Sequence, residues 1–508
     1  MRQERRTFLQ TVGAAGIGSL ALGGNASAQS DDVEVITLEN VGAESPSSEF
    51  APDDGFADLG WLTEGPLAVV RVTSLDSDGE GSFKWAIQAD DDELGIEDVG
   101  RRIIVFEVGG VIDLGGEDRW TRVTNEKTYV AGQTAPSPGI TLIRGGINVS
   151  ADDCVIQHIR VCGGHAGHEG DANWHPDSRT DDDSENIVWD HCTSVWGLEQ
   201  TLSVGYDTVD TTFTNNLIAE GLNEIAHRDP PRGYGTLVGD RAENVTLAGN
   251  VWAHNRSRNP RLKNDSQSAV VNNVLYNYDW GPTLDDSTVA TIEGNAFLRP
   301  VSDNPAVRGD GQVHVADNYT DGDVSLYDGD LQHHDDRLLW PESLDALPSS
   351  DVLEHNLANV GARPAERIAV EERILQDVAE GTGDWVDHEA EGGGYPDFEG
   401  TTREIDSLEG DITDWLSQHT RAVELGEDPP GEDPGTESPA IDGTQTADTT
   451  GDGLHNDFTG SGSTTTTDVN VFFENVDNPD VADYPQYYDF DGNGAVSVTD
   501  VVELFERL

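Results

Sequence analysis

Four asparagines recur at a nearly fixed interval along this chain. Asn250, Asn273, Asn295 and Asn318 close the short apolar runs NVTLAGN, AVVNN, ATIEGN and VHVADN, at spacings of 23, 22 and 23 residues. A fixed period in this range marks a solenoid, whose repeats bury their apolar faces by stacking on one another. A repeat of about 22 residues holding several short strands fits one coil of a parallel β-helix. Equivalent side chains on stacked coils lie about 4.8 Å apart, and asparagine amides at that distance hydrogen-bond along the stack. The pattern predicts an all-β body, a right-handed parallel β-helix, whose long side is a platform for an extended polymer. The ladder is expected to continue backwards through Asn216, His191 and His158, at longer steps of 34, 25 and 33 residues. Longer steps require insertions, and loops on a rigid scaffold carry most functional sites.

Charge narrows the partners. Of 508 residues, 97 are acidic and 29 basic, for a formal net charge of −68. The lysines are Lys84, Lys127 and Lys263, and the acid is spread along the whole chain. Such a surface predicts a halophilic source, where salt screens the self-repulsion. It argues against a nucleic-acid partner, which needs basic patches, and an acidic ligand needs cations supplied locally. Cys154, Cys162 and Cys192 match no zinc spacing and lie in strand-like runs, so they are expected as buried free thiols.

The N-terminus has the pattern of an export signal. Arg5 and Arg6 precede the short apolar stretch TVGAAGIGSLALGG, and Ala26–Ala28 offers a small-residue cleavage site. Residues 1–28 are read as a twin-arginine signal, giving a secreted, monomeric protein from Gln29 with no membrane span. Residues 29–425 form the β-helix body, with helices expected over 365–380 and 404–425. An acidic Pro/Gly linker covers 426–447.

The tail, 448–508, contains two copies of one motif, starting at Asp457 and Asp489. The second copy places Asp489, Asp491, Asn493, the Ala495 carbonyl and Asp500 at positions 1, 3, 5, 7 and 12, with Gly494 at position 6 and a helix following. That is the oxygen spacing of a twelve-residue calcium loop. The first copy has Thr459 and Ser461 at ligand positions and is expected to bind weakly. The pair resembles a dockerin module, which implies calcium and a cohesin-like or cell-surface partner.

Three segments carry a further resemblance: AGQTAP at 131–136, the run from Pro176 to Val204 containing ENIVWDHC, and HNRSRNPRLK from His254 to Lys263. In this order, on a β-helix, they resemble the pectate lyases of polysaccharide lyase family 1 over roughly residues 60–320. The resemblance implies β-elimination of α-1,4-galacturonan (pectate). A base removes the C5 proton, while calcium and cationic side chains neutralise the uronate carboxylate. Carried over by position, Asp177 and Glu199 are calcium carboxylates, with Asp171 a third candidate. Ser203 stands where the family often has another. Arg258 matches the C5 base, and Lys263 a substrate-binding cation. Arg261 and Arg256 crowd the same segment, and Arg232 or His227 would replace a family lysine. Asp190 is read as structural. The alternatives are a glycoside hydrolase on the same rod, which needs convergent carboxylates, and a polysaccharide-binding protein without chemistry.

Overall fold

The computed structural model describes residues 32–508, except 38–40, 64, 97–98, 116–119, 169–170, 172–174, 226–230, 406–407, 409–411, 430–439, 442–443, 448–453, 462, 477, 479–480, 482–484, 489, 491–495 and 508. The signal segment and most of the linker therefore lie outside the described residues, as do His227, Asp489, Asp491, Asn493 and Ala495. Two compact units are present. One holds the segment up to Ala43, Phe50–Ala362 and Arg367–Gly410; the other holds Glu44–Glu49, Arg363–Glu366 and Asp411–Leu508.

The first unit is a parallel β-helix. Its longest sheet has twelve strands and is parallel throughout from Pro66–Val72 to Gln332–His333, with Val33–Thr37 added antiparallel at one edge. A second sheet has ten strands, parallel from Val108–Asp113 to Tyr319–Thr320, with Thr401–Thr402 antiparallel at its edge. The third side is made by two four-stranded sheets, Trp120–Val123 to Leu202–Ser203 and Leu237–Val238 to Arg308–Gly309. A parallel bridge between Val204 and Val238 joins them. Among the described residues, eight successive coils, from Arg102–Phe106 to Arg308–Gly309, each contribute one strand to each side. Ile156, Trp189, Phe213, Leu247, Val270 and Ile292 pair in register along the longest sheet and fill the interior.

The predicted ladder forms, with one correction. Asn216, Asn250, Asn273 and Asn295 each donate a backbone N–H and a side-chain amide to the Oδ1 of the next asparagine, at 2.8–3.0 Å. The Cys192 N–H, not His191, donates to Asn216 Oδ1 (2.9 Å). His158 and His191 therefore sit one position before the ladder, in a column with Asn215, Gly249, Asn272, Gly294 and Asp317. All seven have φ between 45° and 71°. The corner between the first two sheets requires this left-handed conformation, which glycine, asparagine, aspartate and histidine tolerate best. The His158 and His191 rings stack at 5.2 Å within that column.

Asp190 is structural in the described residues. It is fully buried and accepts from Gln157, Thr214, Asn215 and His191 at 2.7–3.0 Å. Burial alone would raise its pKa, but His191, together with His158 and Gln157, holds it down at about 2. Cys154, Cys162 and Cys192 are free and buried, as expected. Helices Ala369–Glu380 and Ile412–Leu425 occupy the two predicted helical stretches, the latter in the second unit.

Within the second unit, helices Thr466–Asn475 and Val498–Glu506 pack around Phe472, Tyr488, Phe490 and Leu504. Thr465 with Asp468, and Ser497 with Asp500, cap them with the same reciprocal box, so the sequence repeat is also a repeat of local structure. In the first copy the buried Asp468 already accepts from Phe458 N, Thr459 N and Thr459 Oγ1, and Asp457 from Thr459 and Ser461.

Because each ladder amide serves two coils, removing one strands partners on both sides. Asn273→Ala would leave the Asn250 donors, the Leu247 carbonyl and the Asn295 Oδ1 short of a partner. The expected cost is about 2–5 kcal/mol, since each buried unsatisfied group costs about 1–3 kcal/mol. Denaturant unfolding of the variant against wild type measures it, and a loss under about 0.5 kcal/mol, the size of an ordinary surface substitution, would contradict it.

Candidate active site

The third side carries the predicted catalytic segment. The chain leaves the second sheet at Val251–Ala253, passes His254 at φ 56° and Arg258 at φ 59°, and re-enters the third side at Arg261–Leu262. A non-glycine residue at such a φ costs roughly 1–2 kcal/mol, so the loop needs anchors. Asn259 Nδ2 donates to the carbonyls of Asn255 (3.0 Å) and Trp280 (3.2 Å), and Thr236 N donates to the Arg258 carbonyl (2.6 Å). Asn255 Oδ1 in turn accepts from Gly221 N.

The four cations of this segment differ in their surroundings. Arg261 forks onto Asp285 (2.9 Å), Lys263 Nζ pairs with Asp240 (3.1 Å) and Tyr206 Oη, and Arg256 faces Asp279 at 3.8 Å. The Arg258 guanidinium makes no ion pair and no hydrogen bond among the described residues. Its guanidinium stacks on the Tyr234 ring, 3.8 Å from the centroid. Burial is the main cause that lowers its proton affinity, and Arg261 and Arg232 push the same way against Tyr234 and Glu199.

Two adjoining cavities share Arg258 and Arg261. One, of about 300 Å³, is lined by Arg179, Glu199, Ser203, Tyr206 and Lys263. The other, of about 420 Å³, is lined by Tyr234, Trp280, Asp285 and Arg308. The strand register explains the convergence. Arg179 pairs with Ser203, Leu237 with Arg261, Arg261 with Thr283, and Thr283 with Arg308, so these residues form one row along the third side.

The predicted carboxylates are placed unequally. Glu199 faces the first cavity and pairs with Arg232 Nη1 at 3.3 Å. Asp177 is buried beside it, and its two oxygens accept the backbone N–H groups of Glu199 (3.2 Å) and Gln200 (3.0 Å). Burial pushes the Asp177 carboxyl up to about 7, with Glu199 adding to it. Asp177 and Glu199 together offer hard oxygen donors, which suit calcium, and binding it would require Asp177 to give up the proton that burial favours. Ser203, also buried, adds no charge. Asp171 is exposed and outside both cavity walls, and Arg256 lines a separate cavity with Asp279 and Trp385. Sequence reasoning missed Tyr234, Arg179, Trp280 and Arg308. Tyr234 lies inside the long 216-to-250 insertion, which was the available signal.

No family model matches the chain. Among curated proteins it is similar to a probable pectate lyase C of Aspergillus terreus, 30% identical over 383 residues that cover 70% of this chain and 83% of that protein. It is also similar to a probable pectate lyase C of Emericella nidulans, 29% identical over 71% of this chain and 82% of that protein. A solved structure of the major cedar-pollen allergen aligns with a TM-score of 0.42 at 12% identity, over 57% of this chain and 87% of that one. A parallel β-helix enzyme with a cationic cleft is the class defined here. The chain belongs to the pectate lyase family, and it is an enzyme of that family.

Asp177 gives the site a pH signature. Its raised pKa means that the native protein holds a proton the unfolded chain releases. That stability is fully present below the ordinary carboxyl value and is lost as pH rises through about 7. In chelator, wild type should lose stability relative to Asp177→Asn by up to about 1.4 kcal/mol per pH unit across this window. Denaturant midpoints of the two proteins between about pH 5 and about pH 8 test it, and parallel curves would contradict it.

Proposed function

We propose that this chain cleaves α-1,4-linked galacturonan by β-elimination, with Arg258 removing the C5 proton. The observation that carries this reading is the solitary state of Arg258, in a segment where Arg256, Arg261 and Lys263 each face a carboxylate. A guanidinium is normally never deprotonated. Burial, with Arg261 and Arg232 nearby, lowers the cost of reaching its neutral form, against the opposing pull of Tyr234 and Glu199. Arg261 and Lys263, lining the same cavity, are the cations offered to the uronate carboxylate.

Glu199 and Asp177 would hold calcium, with substrate carboxylates completing the shell that Ser203 leaves short. Bound there, calcium supplies positive charge to the uronate carboxylate, acidifying the C5 proton. It also reconciles a chain of net charge −68 with a polyanionic substrate. Asp171 is a peripheral carboxylate in this scheme, and Arg232 positions Glu199. Arg256, braced by Asp279, supports the catalytic loop.

The same proposal extends to the whole chain. It is a secreted monomer exported by the twin-arginine route from a halophile. Its dockerin-like tail binds calcium through Asp489, Asp491, Asn493, Ala495 and Asp500, and docks to a cohesin-like or cell-surface partner.

Purified protein incubated in high salt with polygalacturonate and calcium should produce the ultraviolet absorbance of unsaturated uronide, and chelator should abolish it. Arg258→Ala should lower kcat by about 10²–10⁴-fold, the range for loss of a general base. The wild-type rate should climb with pH through the alkaline range as the neutral arginine fraction grows. Reducing ends without the absorbance would mean hydrolysis, and undiminished elimination by Arg258→Ala would remove it as the base.

A further inference from the structure

Almost every described arginine is engaged by a carboxylate or a carbonyl. Among the described arginines, Arg258 and Arg308 are the two whose guanidinium makes neither a hydrogen bond nor an ion pair, and both line the same cavity of about 420 Å³. Each stacks instead on an aromatic ring, Arg258 on Tyr234 at 3.8 Å and Arg308 on Trp280 at 4.3 Å. In a chain of net charge −68, leaving a guanidinium unpaired forgoes an abundant partner. The catalytic reading accounts for Arg258 and leaves Arg308 unused.

We propose that Trp280 and Arg308 form a second sugar-binding subsite, for an acidic pyranose ring, on the coils following Arg258. The inference rests on the galacturonan reading and deepens it. Trp280 is 42% exposed, a large apolar surface left open to solvent at the cavity wall. An indole is a flat surface on which the C–H face of a sugar ring packs, and the guanidinium fork matches a carboxylate bidentately. The cation–π contact holds Arg308 in place without consuming its N–H donors. Along the third side, Arg308 stands two strands beyond Arg261 in the same register row, a separation of about 9.6 Å at ~4.8 Å per strand. That is the scale of a disaccharide, so one oligomer can engage both.

Aspartates share this wall, and Asp285, Asp286 and Asp310 differ in how far they oppose an acidic ring. Asp285 is neutralised by the Arg261 fork, and Asp286 accepts the Ser287 N–H. Asp310 is exposed at the edge. High salt weakens what repulsion remains.

The test uses full-length protein carrying Arg258→Ala, so that the ligand is bound and not cut. Hexagalacturonate binding is followed by tryptophan fluorescence and calorimetry across a series of salt concentrations. Adding Arg308→Gln should weaken binding about tenfold, the loss expected of one charge-assisted contact, and should flatten the dependence of Kd on salt. Arg308→Lys should restore the salt dependence and part of the affinity. Trp280→Ala should weaken binding and remove most of the fluorescence response. Unchanged affinity with Arg308→Gln, or equal losses with Gln and Lys at unaltered salt dependence, would overturn the subsite and leave the galacturonan reading standing. No binding by the Arg258→Ala parent, with no elimination by wild type, would overturn both.

Discussion

The asparagine stack sets the register on which the rest of the β-helix depends. In a parallel sheet a slip of one residue sends every side chain to the opposite face, and short strands of two or three residues specify register weakly by themselves. Each ladder amide closes a bidentate contact with the next coil that only one alignment satisfies. The left-handed residue before it, among them Asn215, Gly249 and Asn272, turns the corner the same way each time. With two sides aligned, the third follows, and the row holding Arg179, Ser203, Arg261 and Arg308 falls into line. The loop carrying Arg258, proposed as catalytic, is an excursion from a frame whose geometry is already fixed.

Electrostatics then separates the cations of this side into paired and unpaired groups. The counter-ions of the catalytic segment lie one coil away: Asp279 for Arg256, Asp285 for Arg261 and Asp240 for Lys263, at separations of 23 or 24 residues. The same repeat that stacks the amides stacks these pairs. Against that background, Arg258 and Arg308 stand out as guanidiniums backed by aromatic rings. Tyr234 and Trp280 cover one side of each without neutralising it, which leaves their N–H groups to the proposed substrate.

Much of this was legible in the sequence. The period of the asparagines gave the fold class, the strand runs and the direction in which insertions should be sought, and RSRNPR marked a loop that lines two adjoining cavities. His158 and His191 were misplaced by one residue because ladder and corner positions are adjacent and both accept polar side chains. Asp177 was legible as an acid, but its engagement by the Glu199 and Gln200 amides depends on how a turn 22 residues later folds back. The crowd of four cations read as dense positive charge because their partners lie on neighbouring coils. That pairing was available in principle from the repeat period, once the stacking register was known.

In the proposed reaction a proton leaves C5 of the sugar and no water enters the glycosidic bond. Polygalacturonate deuterated at C5, digested with the full-length protein and calcium, tests it by mass spectrometry of the new non-reducing ends. Elimination yields unsaturated ends that have lost deuterium. Saturated ends that retain deuterium and carry the mass of an added water would contradict it.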